Sequence, residues 1–130
     1  MTATYATFII AHEDLAPALL HTVEKVLGKQ ENVFAYSNKH DSLQVLSQKL
    51  KDKINQLKID HLVFFTDLKG GSCWTISNML RKEFPDMIIF SGVNLPMLVA
   101  YFNNFRELSL DELIKKVGQD ACRGITSLSG

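Results

Sequence analysis

Three short strings hold residue types that could carry out group transfer. His12 follows the run Tyr5 to Ile10. Asp67-Leu68-Lys69-Gly70-Gly71-Ser72 follows His61 to Thr66, and Ser91-Gly92-Val93-Asn94 follows Met87 to Phe90. A neutral imidazole is a nucleophile near neutral pH. A carboxylate such as Asp67, accepting from Nδ1–H, would hold the ring and leave Nε2 bare to attack. It would also stabilise the cation formed as the ring takes on a phosphoryl group. Gly70 and Gly71 let backbone N–H groups approach an anion closely. Ser72, opening a helix, offers its N–H and hydroxyl to phosphoryl oxygens at the positive helix end. Such an assembly fits phosphoryl transfer, in which positioning and charge stabilisation carry most of the catalysis. Each signal alone has a commoner structural use. A histidine after a strand is usually a surface or structural residue, Asp67 a turn or cap residue, and Gly-Gly-Ser a turn into a helix. Only their convergence favours chemistry.

The surrounding elements decide whether they converge. Tyr5 to Ile10, Asn32 to Tyr36, the apolar run His61 to Thr66 and Met87 to Phe90 read as strands. His61 to Thr66 is apolar enough for a strand buried on both faces. Leu15, Leu19, Val23, Val26 and Leu27 form a helical stripe, with Asp14 as its expected cap and Gly28 ending it. A second stripe, Leu43 to Leu57, has Asp41 as its expected cap. Ser72 is expected to cap a third helix, running to about Phe84. Leu95-Pro96 opens a fourth, and the last runs from about Ser109 to Arg123. Strand and helix alternate throughout, which calls for a parallel sheet with helices on both faces. The expected fold is therefore α/β, a doubly wound single domain over residues 1–130. In the flavodoxin-like strand order 2-1-3-4, ligands sit beyond the carboxyl ends of the strands. There His12, Asp67, Gly70, Gly71, Ser72 and the Gly92-Val93-Asn94 loop would meet.

Composition removes several classes. Of the 130 residues, 14 Lys and Arg balance 14 Asp and Glu, so no strong net field drives binding to nucleic acid or anionic lipid. Two cysteines, Cys73 and Cys122, cannot form a CxxC or a four-ligand zinc site on their own. Apolar runs are too short to span a bilayer. The N-terminus lacks the pattern of a signal peptide. These features lead to an expectation of a reduced, soluble, cytoplasmic protein.

His12 after the first strand, Thr66-Asp67-Leu68-Lys69-Gly70-Gly71-Ser72 and Ser91-Gly92-Val93-Asn94-Leu95-Pro96-Met97-Leu98 together resemble a known family. It comprises the mannose-family IIA components of the bacterial phosphoenolpyruvate-dependent sugar phosphotransferase system (PTS). Leu27 to Val33 and Arg123 to Leu128 are similar to it as well. The resemblance implies a phosphocarrier, a phosphotransferase that accepts a phosphoryl group from the carrier HPr. The group then passes to a IIB component that serves the membrane IIC and IID components of sugar uptake. His12 would carry the phosphoryl group, Asp67 would orient it, and Ser72 with the Gly70-Gly71 backbone would hold its oxygens. The resemblance implies no metal and no organic cofactor. The family also implies a homodimer exchanging an antiparallel edge strand, expected near Asn104 to Leu108.

The chain differs from the family at Glu13-Asp14, where a glycine commonly follows the histidine. Two carboxylates are unfavourable beside an incoming phosphoryl group if they point inward. Facing out, each would stabilise the following helix by about 0.3–1 kcal/mol. Two other functions stay open: a regulatory phosphoacceptor domain of the same fold, and a module that binds a small anion without covalent chemistry. Cys73 is expected to be a packing residue rather than a redox group, Cys122 a structural one, and His21 a surface residue.

Overall fold

The computed structural model describes residues 3–129. Its elements are β1 (Tyr5–Ala11), α1 (Leu15–Leu27), β2 (Val33–Ser37), α2 (Leu43–Asn55), β3 (His61–Thr66), α3 (Ser72–Arg81), β4 (Ile88–Phe90), α4 (Leu95–Asn104) and α5 (Leu110–Arg123). The strands pair in parallel in the order β2-β1-β3-β4, the doubly wound order expected from the alternation.

Side-chain alternation along β1 and β3 explains the two layers of helices. Tyr5, Ile9 and Ala11 join Val63 and Phe65 on one face, against Ala16, Leu19 and Val23 of α1, Tyr101 of α4 and Leu113 and Val117 of α5. Ala6, Phe8 and Ile10 join Leu62 and Phe64 on the other, against Leu46, Leu50 and Ile54 of α2 and Ile76 and Leu80 of α3. Both central strands are thus apolar on both sides, as a covered parallel sheet requires. Burying a side chain such as Phe64 or Phe65 contributes about 1.5–3 kcal/mol. Thr7, a buried polar residue of β1, shares a hydrogen bond with the Tyr101 hydroxyl at 2.7 Å.

Several local expectations are corrected. Asp14 stands at the α1 N-cap position but makes no side-chain cap bond; its carboxylate lies 3.5 Å from Lys39 Nζ instead. Ser42, not Asp41, caps α2 by accepting from the Val45 N–H, while Asp41 pairs with Lys49 at 2.9 Å. Gly71, not Ser72, is the N-cap of α3, and that helix ends at Arg81. Asn104 to Leu108 forms no strand: Asn104 closes α4, and Phe105 to Leu108 turn toward α5. The turn is fixed by Phe105, whose N–H bonds the Tyr101 carbonyl at 2.9 Å and whose ring stacks on Tyr101 at 5.4 Å. Cys122 is exposed rather than packed. His21 is exposed as expected. Among the described residues no helix is long and apolar enough to cross a membrane.

Candidate active site

Strand pairing builds the site. Ile10 of β1 lies opposite Thr66 of β3, so His12 and Asp67 leave adjacent strands at the same edge of the sheet. Ala11 lies opposite Ser37 of β2, which brings the β2 loop to that edge from the other side. The three loops meet beyond the carboxyl ends of the strands.

His12 is held twice by one carboxylate oxygen. Asp67 Oδ2 accepts from the His12 backbone N–H at 2.9 Å and lies 2.7 Å from His12 Nδ1. Asp67 Oδ1 accepts from the Leu68 N–H at 2.9 Å. Burial pushes the Asp67 carboxyl up, but the bonds from the His12 backbone, its ring and the Leu68 N–H outweigh it and leave the group below its ordinary value. Asp67 is therefore an anion at neutral pH. An acceptor at Nδ1 places the ring proton there and leaves the Nε2 lone pair free. The His12 side chain is 43% exposed and that of Asp67 only 9%, so the ring is reachable and the carboxylate that holds it is sheltered.

Ser72 stands on the Nε2 side. Its Oγ is 3.4 Å from His12 Nε2 and accepts from Asn38 Nδ2 at 2.9 Å. Because Gly71 takes the cap position, the Ser72 hydroxyl is released from capping α3 and turns to the histidine. The N–H groups of Ser72 and Cys73, in the first turn of α3, have no protein acceptor among the described residues, leaving donors at the positive helix end. Gly71 serves by its lack of a side chain. A Cβ there would stand 3.3 Å from His12 Cε1 and 3.3 Å from the Leu68 carbonyl oxygen. Its N–H is already bound to the Leu68 carbonyl at 3.1 Å and is not free for an anion, contrary to expectation. Gly70 has φ +84, a backbone conformation that glycine adopts without steric cost.

The Gly92-Val93-Asn94 loop plays a different part from the one expected. The Asn94 side chain caps α4 by accepting from the Met97 N–H at 2.8 Å, and Val93 N–H bonds the Thr66 carbonyl at 3.0 Å. The loop braces the end of β3 and makes no hydrogen bond to His12.

Glu13 and Asp14 face outward, with side chains 75% and 84% exposed, and Lys39 Nζ lies 3.7 Å and 3.5 Å from their carboxylates. Of the two arrangements considered, the outward one holds. Glu13 has φ +51, the left-handed region where a glycine is easier. Cys73 is fully buried. Burial, with the Asp67 charge adding to it, pushes its thiol up to about 11 against a bond from Ser72. Donor atoms of His12, Asp67 and Cys73 lie within 4.8 Å of one another. Sequence reasoning missed Asn38, whose signal was positional: it follows β2 as His12 follows β1.

A parallel doubly wound sheet with a carboxylate-held histidine at its strand ends places the chain among flavodoxin-like α/β proteins that work at the strand switch point. Residues 7–118 match the EIIA-man family, described as "PTS system fructose IIA component". The chain belongs to this family of sugar phosphotransferase IIA components. It is 25% identical to the fructose-specific EIIA component of Bacillus subtilis over 114 residues, covering 86% of this chain and 78% of that protein. It is 28% identical to the mannose-specific EIIAB component of Escherichia coli K12 over 128 residues, 96% of this chain but 40% of the relative. A phosphotransferase system component EIIA from Streptococcus agalactiae superposes with a TM-score of 0.86 at 26% identity, covering 95% and 96% of the two chains.

Proposed function

We propose that this chain is a cytoplasmic phosphocarrier that takes a phosphoryl group from phospho-HPr on His12 Nε2 and hands it to a histidine of a IIB component. The observation that carries the reading is the pair of contacts on one ring: Nδ1 at 2.7 Å from Asp67, Nε2 at 3.4 Å from Ser72. As the Nε2 lone pair forms its bond to phosphorus, the bond from phosphorus to the donor nitrogen breaks and its electron pair stays with the donor imidazole. The Nδ1 proton remains in place, so the phosphorylated ring carries a positive charge beside the Asp67 carboxylate. Ser72 Oγ–H and the first-turn N–H groups of α3 face the phosphoryl oxygens. Transfer to IIB runs the same steps in reverse, so neither metal nor organic cofactor is required. Residues 1–130 act as one IIA domain, serving membrane IIC and IID components through IIB. The functional unit is a homodimer, a reading supported by the exposed apolar residues Ile125 and Leu128 after α5.

The test mixes the protein with phosphoenolpyruvate, enzyme I and HPr and follows intact mass. Gain of one acid-labile phosphoryl group, absent in His12→Ala, is the expected result. Loss of that group on adding the cognate IIB supports a carrier, whereas retention would point to a regulatory acceptor. No gain by a folded protein would leave anion binding as the reading to pursue.

A further inference from the structure

Asn38 lies in the loop after β2 and its side chain serves no turn or cap. Its Nδ2 donates to Ser72 Oγ at 2.9 Å, across 34 residues of sequence. Its backbone N–H is separately bound to the Ala11 carbonyl at 3.3 Å, so the loop is anchored without the side chain. A serine hydroxyl has one proton to donate and two lone pairs that accept. Once one lone pair accepts from Asn38, the proton is directed away from Asn38. Two neighbours can receive it: the Cys73 thiol and the Nε2 side of His12, 3.4 Å off, where the phosphoryl group would sit. Without Asn38 the hydroxyl rotates freely, and aligning it during transfer costs rate.

We propose that Asn38 is a positioning residue that orients the Ser72 hydroxyl toward the phosphoryl group on His12. The proposal rests on the phosphocarrier reading above. It adds a donor from a third loop, so that β1, β2 and β3 each supply a member to one chain of contacts: Asn38 to Ser72 to His12 to Asp67.

The test is a double-mutant cycle using Asn38→Ala, Ser72→Ala and the pair of substitutions together, with Asn38→Asp as a polarity control. For each protein three quantities are measured: the rate of phosphoryl gain from phospho-HPr, the lifetime of phospho-His12 after the donor is removed, and Tm. Asn38→Ala is expected to slow gain about five- to tenfold, the worth of one misdirected hydrogen bond, with Tm almost unchanged. It is expected to add nothing once Ser72 is alanine. Asn38→Asp is expected to be slower than Asn38→Ala, because its carboxylate takes the hydroxyl proton itself. A fully additive cycle, an Asn38→Ala rate equal to that of the unchanged protein, or an Asn38→Asp variant at full speed would overturn the proposal. A protein that takes up no phosphoryl group at all would sink the phosphocarrier reading instead. In that case the 15N shift of His12 Nε2 in the resting protein reads the same contact without a donor. It is expected to move in Asn38→Ala and Ser72→Ala alike, and an unmoved shift in Asn38→Ala overturns the proposal on its own.

Discussion

Replacing Asp67 with asparagine keeps the shape of the group and removes its charge. In the unchanged protein that charge lies 2.7 Å from His12 Nδ1 and only 9% of its side chain is exposed. Two unit charges about 4 Å apart at an effective dielectric near 20 interact by about 4 kcal/mol. If the ring gains roughly half its positive charge in the transition state, the loss is about 2 kcal/mol, or about 30-fold in rate. The amide brings a second fault. With its oxygen in the place of Oδ2, its NH2 faces the Leu68 N–H, donor against donor, at a cost of about 1–3 kcal/mol in stability. Rapid-quench measurement of phosphoryl gain from phospho-HPr reads the first number, and urea unfolding reads the second. The pH dependence follows from the same bonds. The folded Asp67 carboxyl is held below its ordinary value, so its contribution to stability is full above the unfolded carboxylate range and is lost as pH falls through the folded value. Asp67→Asn should lack that part of the acid dependence. A variant that gains phosphate within threefold of the normal rate would refute the electrostatic role assigned to Asp67.

Other substitutions separate geometry from charge. Gly71→Ala brings a methyl to 3.3 Å from the His12 ring and is expected to slow phosphoryl gain about tenfold by shifting the ring, with a Tm change of a few degrees at most. Glu13→Gly relieves a left-handed residue at φ +51. That strain costs about 1–2 kcal/mol and the added chain entropy of glycine returns about 0.5–1, so calorimetry should show Tm rising by roughly 2–4 °C. In thiol labelling at pH 7, Cys122 should react and Cys73 should not, since Cys73 is buried and its thiol lies near 11. The raised Cys73 value also implies that its share of stability persists below pH 9 and is lost as pH rises toward 11, readable as a falling urea midpoint that Cys73→Ala flattens.

Much of this was legible in the chain because strong local signals agreed. His61 to Thr66 is apolar enough to be nothing but a covered strand, and Asp67 and His12 are the polar residues that directly follow two such runs. Once parallel pairing is granted, their meeting follows. What escaped the sequence were choices among near-equal local partners. Gly71 and Ser72 compete for one cap position, as do Asp41 and Ser42, and the winner depends on which side chain has something better to bind. Ser72 has His12 and Asn38; Asp41 has Lys49. The strand expected at Asn104 to Leu108 became a turn because Phe105 packs on Tyr101, whose own position is fixed by its bond to Thr7, 94 residues away. Asn38 was invisible because its partner is 34 residues away.

The origin of the histidine and its carboxylate on different strands has a kinetic consequence. His12 and Asp67 are separated by 55 residues, and α1, β2 and α2 lie between the two strands that carry them. Closing so long a span is slow and entropically costly, and it yields no reward until the parallel register forms. A one-residue slip in that register would turn the core side chains of β3 to the wrong face, so near misses are not stable. Partly folded chains therefore cannot carry the paired histidine. The fraction of molecules able to accept a phosphoryl group should track the fraction that has completed folding, which makes phosphate uptake a reporter of the slowest step in refolding.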